Sequence, residues 1–284
     1  MHDLCLPHGT QTFPQRLVGI PDPPSQIWVR GAPAHLPVPG QPSVAVVGSR
    51  AATREGLDAA RRIANGLARA GVVVVSGLAR GIDAAAHQAT LDADGCTIAV
   101  LGSGLQRLYP PEHEALADRI LARGAVVSEY APDTPPLAGH FPRRNRLVAG
   151  LADAVVVVEA PEKSGALITA GAALDQGKDV LVVPGRAAGQ RNRGGHLLIR
   201  DGATLVESAG DILMEMGWAA GIGREAGAAD GNPEPVEFTV DDVVRDTGEL
   251  PQQALARLLR EEVAGEIRRI GSARFLRVRT RVLT

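Results

Sequence analysis

The chain has 284 residues, 45% apolar and 22% charged, an ordinary globular composition that excludes fibrous, disordered and membrane-spanning classes. Its 30 Lys+Arg against 32 Asp+Glu leave a formal charge of −2, which rules out a uniformly basic nucleic-acid coat and leaves the electrostatic argument to local clusters. Lys163 and Lys178 are the only lysines. Arginine supplies the other cations, a flat fork of donors suited to phosphate and to stacking on bases, although an Arg-rich, Lys-poor chain equally reflects genome composition. Two cysteines, Cys5 and Cys96, cannot build a disulfide scaffold or a Cys-rich zinc site, and a reducing compartment fits. Met1-His2-Asp3-Leu4 lacks the basic stretch and apolar run of a signal peptide, and no apolar segment has a membrane helix's length. A soluble cytoplasmic protein is expected.

Residues 1–42 hold nine prolines, which remove backbone donors and predict an irregular lead-in packed on the main domain through Trp28. From Val44 onward, short apolar runs alternate with helix-length segments: Val44–Val47, Val72–Val75, Thr97–Leu101, Ala125–Val127, Ala154–Val158 and Val180–Val183. Strands apolar on both faces are buried on both, which predicts a mostly parallel sheet in a doubly wound α/β fold. Ala60, Ile63, Ala64 and Leu67 fall at i, i+3, i+4 and i+7, predicting a helix across Thr53–Ala70 with one buried stripe. The Gly/Ala-rich stretch 217–235 reads as a linker. Beyond it, in 236–284, Phe238–Thr247 and Pro251–Arg260 are expected as short helices, with Leu255, Leu258 and Leu259 on an apolar face. Glu266–Ile270 and Arg274–Val278 are expected to form a hairpin around Gly271-Ser272. That order suggests a small winged-helix-like domain.

In an open α/β sheet, ligands lie beyond the carboxyl ends of the strands, where helix N-termini and unpaired backbone N–H groups collect. The residues there are Gly48-Ser49-Arg50, Ser76-Gly77, Gly102-Ser103-Gly104, Ser128-Glu129, Glu159 and Pro184-Gly185-Arg186. Glycines also simply close tight turns in such folds. A nicotinamide dinucleotide fingerprint, a phosphate-binding P-loop, a G-x-S-x-G elbow and an H-E-x-x-H helix are all missing from the sequence, so no cofactor is expected.

Asp83 and His87 stand one helical turn apart and could form an acid–base pair, but an Asp at a helix start more often satisfies N–H groups and holds the histidine. Ser164-Gly165 reads as an N-cap, with a phosphate site at the same helix end as the alternative. The strongest cluster is Phe141-Pro142-Arg143-Arg144-Asn145-Arg146, in a stretch, 140–200, holding nine basic against five acidic residues. Guanidiniums that follow phosphates beside a ring that stacks on bases suit a single strand; a solvated charged loop is the bland reading.

The motif order is specific. Val-Gly-Ser-Arg at 47–50, Ser-Gly-Leu-Ala-x-Gly-Ile-Asp-Ala-x-Ala-His at 76–87 and Gly-x-Gly-Leu-x-x-x-Tyr-Pro at 102–110 come first. Ser-Glu at 128–129, Phe-Pro-x-Arg-Asn-Arg at 141–146, Val-Glu-Ala at 158–160, Ser-Gly-x-Leu-Ile-Thr-Ala at 164–170 and Pro-Gly at 184–185 follow. This resembles the DprA/Smf family of DNA-processing proteins over about residues 43–210. The resemblance implies an extended Rossmann-type domain over 43–216 that binds single-stranded DNA, protects incoming strands during natural transformation and helps load the RecA recombinase, as a homodimer without catalytic turnover. It places Gly48, Ser49, Arg50 and the segment Phe141, Arg143, Arg144, Asn145 and Arg146 on DNA, with the arginines on phosphates and Phe141 on a base; Lys178 is a further candidate. Leu198, Ile199 and Leu205 fall where the family dimerises. Two departures from the resemblance are expected at the Pro-rich lead-in, where many members carry an N-terminal helical domain, and at His113, which stands where Asn is usual after Tyr109-Pro110. The enzymatic alternative is a nucleotide phosphoribohydrolase of the lysine-decarboxylase-like kind with Glu159 as base, although that family's Pro-Gly-Gly-x-Gly-Thr-x-x-Glu loop is missing here.

Overall fold

The computed structural model describes residues 3–186 and 190–218, and beyond them 237–239, 243–245, 251–263, 267–269 and 274–277. The chain forms two compact units, Met1–Arg224 and Glu225–Thr284. The first is built on a nine-stranded mixed sheet in the order β1-β2-β6-β5-β4-β3-β7-β8-β9. Its parallel body comprises β3 (Ser43–Val47), β4 (Val73–Ser76), β5 (Thr97–Leu101), β6 (Ala125–Ser128), β7 (Ala154–Val157), β8 (Asp179–Val182) and the short β9 (Thr204–Leu205). The chain runs outward from β3 to β6, then returns to β7 on the other flank of β3. A crevice therefore opens between the loops that follow β3 and β7, the position at which such sheets accept ligands.

The Pro-rich lead-in is more regular than its composition suggests. β1 (Leu4–Pro7) and β2 (Gln26–Gly31) form a hairpin-like pair, and β2 runs antiparallel to β6, with Trp28 opposite Ser128. Ile27 and Val29 are buried on one face with Phe13, Leu17 and Ile20, while Trp28 turns to the other face and packs beside Leu105 and Leu121. Arg16 anchors this segment under the sheet through a 2.6 Å ion pair to Asp153, whose carboxylate also accepts from the Ser43 N–H.

Strand residues alternate between two apolar layers. Ala45, Val47, Val155 and Val157 face the lead-in, α4 (His140–Gly150) and α5 (Gly165–Asp175). Val44, Val46, Val74 and Val156 face α1 (Arg54–Arg69), α2 (Ile82–Asp92) and α7 (Ala209–Glu215), while Leu101 and Val126 pack with α3 (Glu114–Leu121). The stripe Ala60, Ile63, Ala64 and Leu67 on α1 is fully buried, as its spacing predicts. Thr53 caps that helix by accepting from the Gly56 N–H at 3.1 Å.

Asp83 and His87 do not pair. Asp83 Oδ2 accepts from the backbone N–H groups of Gly77 (3.1 Å) and Ala79 (3.3 Å), holding the turn in which Leu78 takes φ 54°. His87 Nδ1 instead meets Thr97 Oγ1 at 2.7 Å, in a fully buried site. Burial pushes the imidazole pKa down from 6.5 to about 3. The unfolded chain therefore binds more protons between those values, and stability is lost as pH falls through that window. We expect unfolding free energy to drop by about 2 kcal/mol from pH 7 to pH 5 on account of this group. In denaturant titrations at the two pH values, His87→Gln should abolish that part of the difference; an unchanged slope would refute the assignment.

In the second unit, β10 (Glu237–Thr239), β12 (Arg274–Arg277) and β11 (Ile267–Arg269) form an antiparallel sheet in that order, accompanied by the helix Pro251–Val263. The expected helix Phe238–Thr247 thus opens on a strand, because Glu237–Thr239 pairs with β12; residues 243–245 are helical. Of the expected apolar face on the second helix, Leu258 is buried, together with Ala254, Leu255 is exposed, and the side chain of Leu259 lies outside the described residues. Most of the linker 217–235 and the Gly271-Ser272 turn lie outside the described residues.

Candidate nucleic-acid interface

A cleft of about 570 Å³ opens at the carboxyl rim, lined by the turn after β3 (Gly48–Ala51), the first turns of α4 and the loop leading into α5. The turn after β3 is fixed by its neighbours. Ser49 donates its N–H to the Glu159 carbonyl at 2.7 Å, its own carbonyl accepts from the Ile82 N–H at 3.2 Å, and its Oγ accepts from the Ala51 N–H at 3.2 Å. Gly81, at φ +77°, packs so closely on this turn that any Cβ would collide with the Ser49 carbonyl. The side chain of Ser49 is buried, and the chain then presents Arg50 outward, exposed.

Arg50 Cζ lies over the Phe141 ring, 5.2 Å from its centroid. Phe141 sits in the first turn of α4, beside Tyr109 (centroids 5.6 Å apart, planes at 55°) and over Gly102, where a Cβ would come within 2.9 Å of the ring. On the far wall, Ser164 caps α5 by accepting from the Ala166 N–H at 3.3 Å, and exposed Lys163 precedes it. Asn145 donates its Nδ2–H to the Gly165 carbonyl at 3.0 Å and ties the two helix starts together. The N-terminal ends of α4 and α5 thus bring their positive dipole ends to a cleft that also holds Arg50 and Lys163.

The floor holds two buried ionisable side chains, Arg144 and Asp83. Arg144, 4% exposed, donates to the carbonyls of Gly77 (2.7 Å) and Val100 and, through Nε, to Asn145 Oδ1 (3.2 Å). Burial lowers its pKa to about 10, with nearby Asp83 acting the other way, so it stays charged at neutral pH. Burial likewise raises the Asp83 pKa, against the pull of Arg144 and two backbone N–H groups. Asp83 is thereby offset locally, and the open face of the cleft is cationic and aromatic.

The sequence model of the family described as DNA recombination-mediator protein A matches residues 5–217. The chain belongs to this family. It is 44% identical to Protein Smf of Escherichia coli over 74% of its own length and 56% of that protein's, and 43% identical to Protein Smf of Synechocystis over 72% and 52%. The chain thus spans about half the length of these curated relatives. Against the DNA processing protein DprA of Streptococcus pneumoniae the identity is 44%, covering 72% of this chain and 71% of that one. The crystal structure of the S. pneumoniae protein superposes with a TM-score of 0.71 at 41% identity, covering 76% and 75% of the two chains. A DNA processing protein A from Helicobacter pylori, described for its single-stranded DNA binding mode, superposes with a TM-score of 0.68 at 28% identity, covering 76% and 96%.

Within this DNA recombination-mediator protein A fold, the sequence-derived candidates divide. Gly48, Ser49, Arg50, Phe141, Arg144 and Asn145 all line the cleft. Arg143 and Arg146, three residues apart on α4, share a different face. Arg146 forms a two-pronged bond to Glu129 (2.8 Å each) and reaches the Asp22 carbonyl at 2.8 Å, with its side chain 12% exposed. Arg143 is exposed and stands 3.7 Å from Glu129. Lys178 lies on the opposite rim, immediately before β8. Its ammonium donates to the carbonyls of Ala149, Gly150 and Ala152 at 2.7–2.8 Å, closing the C-terminus of α4. Burial lowers its pKa to about 8.

Glu159 accepts from the Thr53 N–H and Oγ1–H and is buried against α1, so its carboxylate serves the backbone of that helix start. Leu198 and Ile199 pack on their own core from α6 (Arg193–Arg200), whereas Leu205 on edge strand β9 is 48% exposed. Lys163 and Tyr109 also line the cleft; the sequence offered Lys163 only as one charge in a basic stretch and Tyr109 only as a motif letter. Among the described residues, no cluster of three or more His, Cys, Asp or Glu could hold a metal, and no helix is long and apolar enough to cross a membrane.

Proposed function

We propose that the chain is a single-stranded-DNA-binding recombination mediator that holds an unpaired strand in the rim cleft without altering it. In this reading it works in the cytoplasm as a homodimer, shields incoming strands during natural transformation and helps load the RecA recombinase, with no cofactor and no turnover. The observation that carries it is the guanidinium of Arg50 held over Phe141 at the mouth of a cleft between two helix N-termini. Phosphates pair with Arg50, Lys163 and the helix ends, and a base stacks on Phe141. Gly48 and Ser49 let the backbone approach the strand closely, and Asn145 positions the α4–α5 wall. Arg144, Arg146 and Lys178 act as framework, and Arg143 stands at the margin. The H. pylori relative's description supports the ligand class.

The nucleotide-hydrolase alternative is disfavoured because Glu159 has both carboxylate oxygens engaged by Thr53. Exposed Leu205 at the sheet edge supports the dimer. Anisotropy with single- and double-stranded oligonucleotides at two salt concentrations tests the reading. Tighter binding of the single strand, weakening as salt rises, is expected; equal affinity for both forms would refute it.

A further inference from the structure

We propose that Tyr109 is a second base platform, so that the interface seats two consecutive nucleotides, one on Phe141 and the next on Tyr109. This inference rests on the cleft holding single-stranded DNA and adds a subsite to it. Tyr109 lies in the segment after β5, on the same rim, and lines the cleft together with Phe141. The arrangement at Phe141 recurs beside it: Arg50 Cζ lies 5.2 Å from the Phe141 centroid, and Arg80 Cζ lies 5.9 Å from the Tyr109 centroid. Each unit pairs an apolar face for a base with a guanidinium for the adjoining phosphate. A small hollow lined by Arg50, Arg80, Tyr109 and Phe141 joins the two units.

The geometry also specifies the strand's form. Ring centroids 5.6 Å apart with planes 55° out of parallel are too far apart and too tilted for the ~3.4 Å spacing of stacked neighbours in a duplex strand. Bases on the two rings are therefore held unstacked from one another, along an extended backbone. Arg80 is not idle in the unbound protein. It pairs with Glu112, both side chains being about half exposed, so a phosphate arriving at Arg80 competes with that carboxylate.

The test is anisotropy of the full chain with oligo(dT) of graded length, at low and high salt. Tyr109→Leu should weaken binding about tenfold and shift the affinity plateau by one nucleotide, while Tyr109→Phe binds as wild type. Glu112→Gln should tighten binding about two- to threefold at low salt, because it releases Arg80 and removes a like charge, and the gain should vanish at high salt. If Tyr109→Leu binds within twofold of wild type while Phe141→Leu is weakened, the second platform is wrong and the binding reading stands. If Glu112→Gln leaves low-salt affinity unchanged, the strand does not pass Arg80 and the proposal fails even if the Tyr109 variants fold poorly. A wild-type chain that binds no oligonucleotide overturns both readings.

Discussion

Arg144→Leu is expected to cost about 3–5 kcal/mol of folding stability, the scale for removing one partner from a buried charge arrangement. The guanidinium is 4% exposed and is the hydrogen-bond donor to the Gly77 and Val100 carbonyls. Leucine leaves both acceptors dry and leaves Asp83 without the nearby cation that opposes its desolvation. Urea denaturation reads the loss directly. Adding Asp83→Asn to Arg144→Leu should recover part of it, because the uncompensated carboxylate is then gone, although the amide cannot repair the two carbonyls. A loss below about 1 kcal/mol would mean that Arg144 does not brace the cleft floor.

Arg50→Ala and Phe141→Ala are the second large expectation, now on the ligand. Each should cost about 1–3 kcal/mol of single-strand affinity with little change in unfolding midpoint, since Arg50 is exposed and Phe141 half-buried. Arg50→Ala should also lower the salt slope by about 0.7, the single-strand value for one phosphate contact. Because the guanidinium lies over the ring at 5.2 Å, the double variant should lose less than the sum of the two. Arg146→Ala gives the contrast: its bonds go to Glu129 and Asp22, so it should lower stability and leave the salt slope where it was. Full affinity in Arg50→Ala, or a reduced slope in Arg146→Ala, would reverse the assignment of these two arginines.

The parallel body was readable because its signals are local. Two-sided apolar runs mark buried strands, and the 3.6-residue stripe from Ala60 to Leu67 marks α1. β1 and β2 were hidden because nine prolines in residues 1–42 mask short strands whose stability comes from pairing with distant β6. The arginines were the harder case. Arg143, Arg144 and Arg146 are equal letters in one motif, yet a helix turns about 100° per residue and sends Arg144 to the floor and the other two toward Glu129. Their partners lie at residues 22, 77, 100 and 129, which no local pattern connects. The position of Lys178 was legible from sequence alone: it precedes an apolar strand, and residues before a strand stand on the rim opposite the one where open sheets accept ligands.

The turn around Ser49 has a thermodynamic corollary. With its N–H, carbonyl and hydroxyl all engaged, the backbone beneath Arg50 has little freedom left to lose when a ligand arrives. In the proposed binding mode the entropic cost of docking then falls on the nucleic acid, so selectivity should follow the polymer's own stiffness: oligo(dT), which stacks weakly, is expected to bind better than oligo(dA), whose stacks must first be pulled apart.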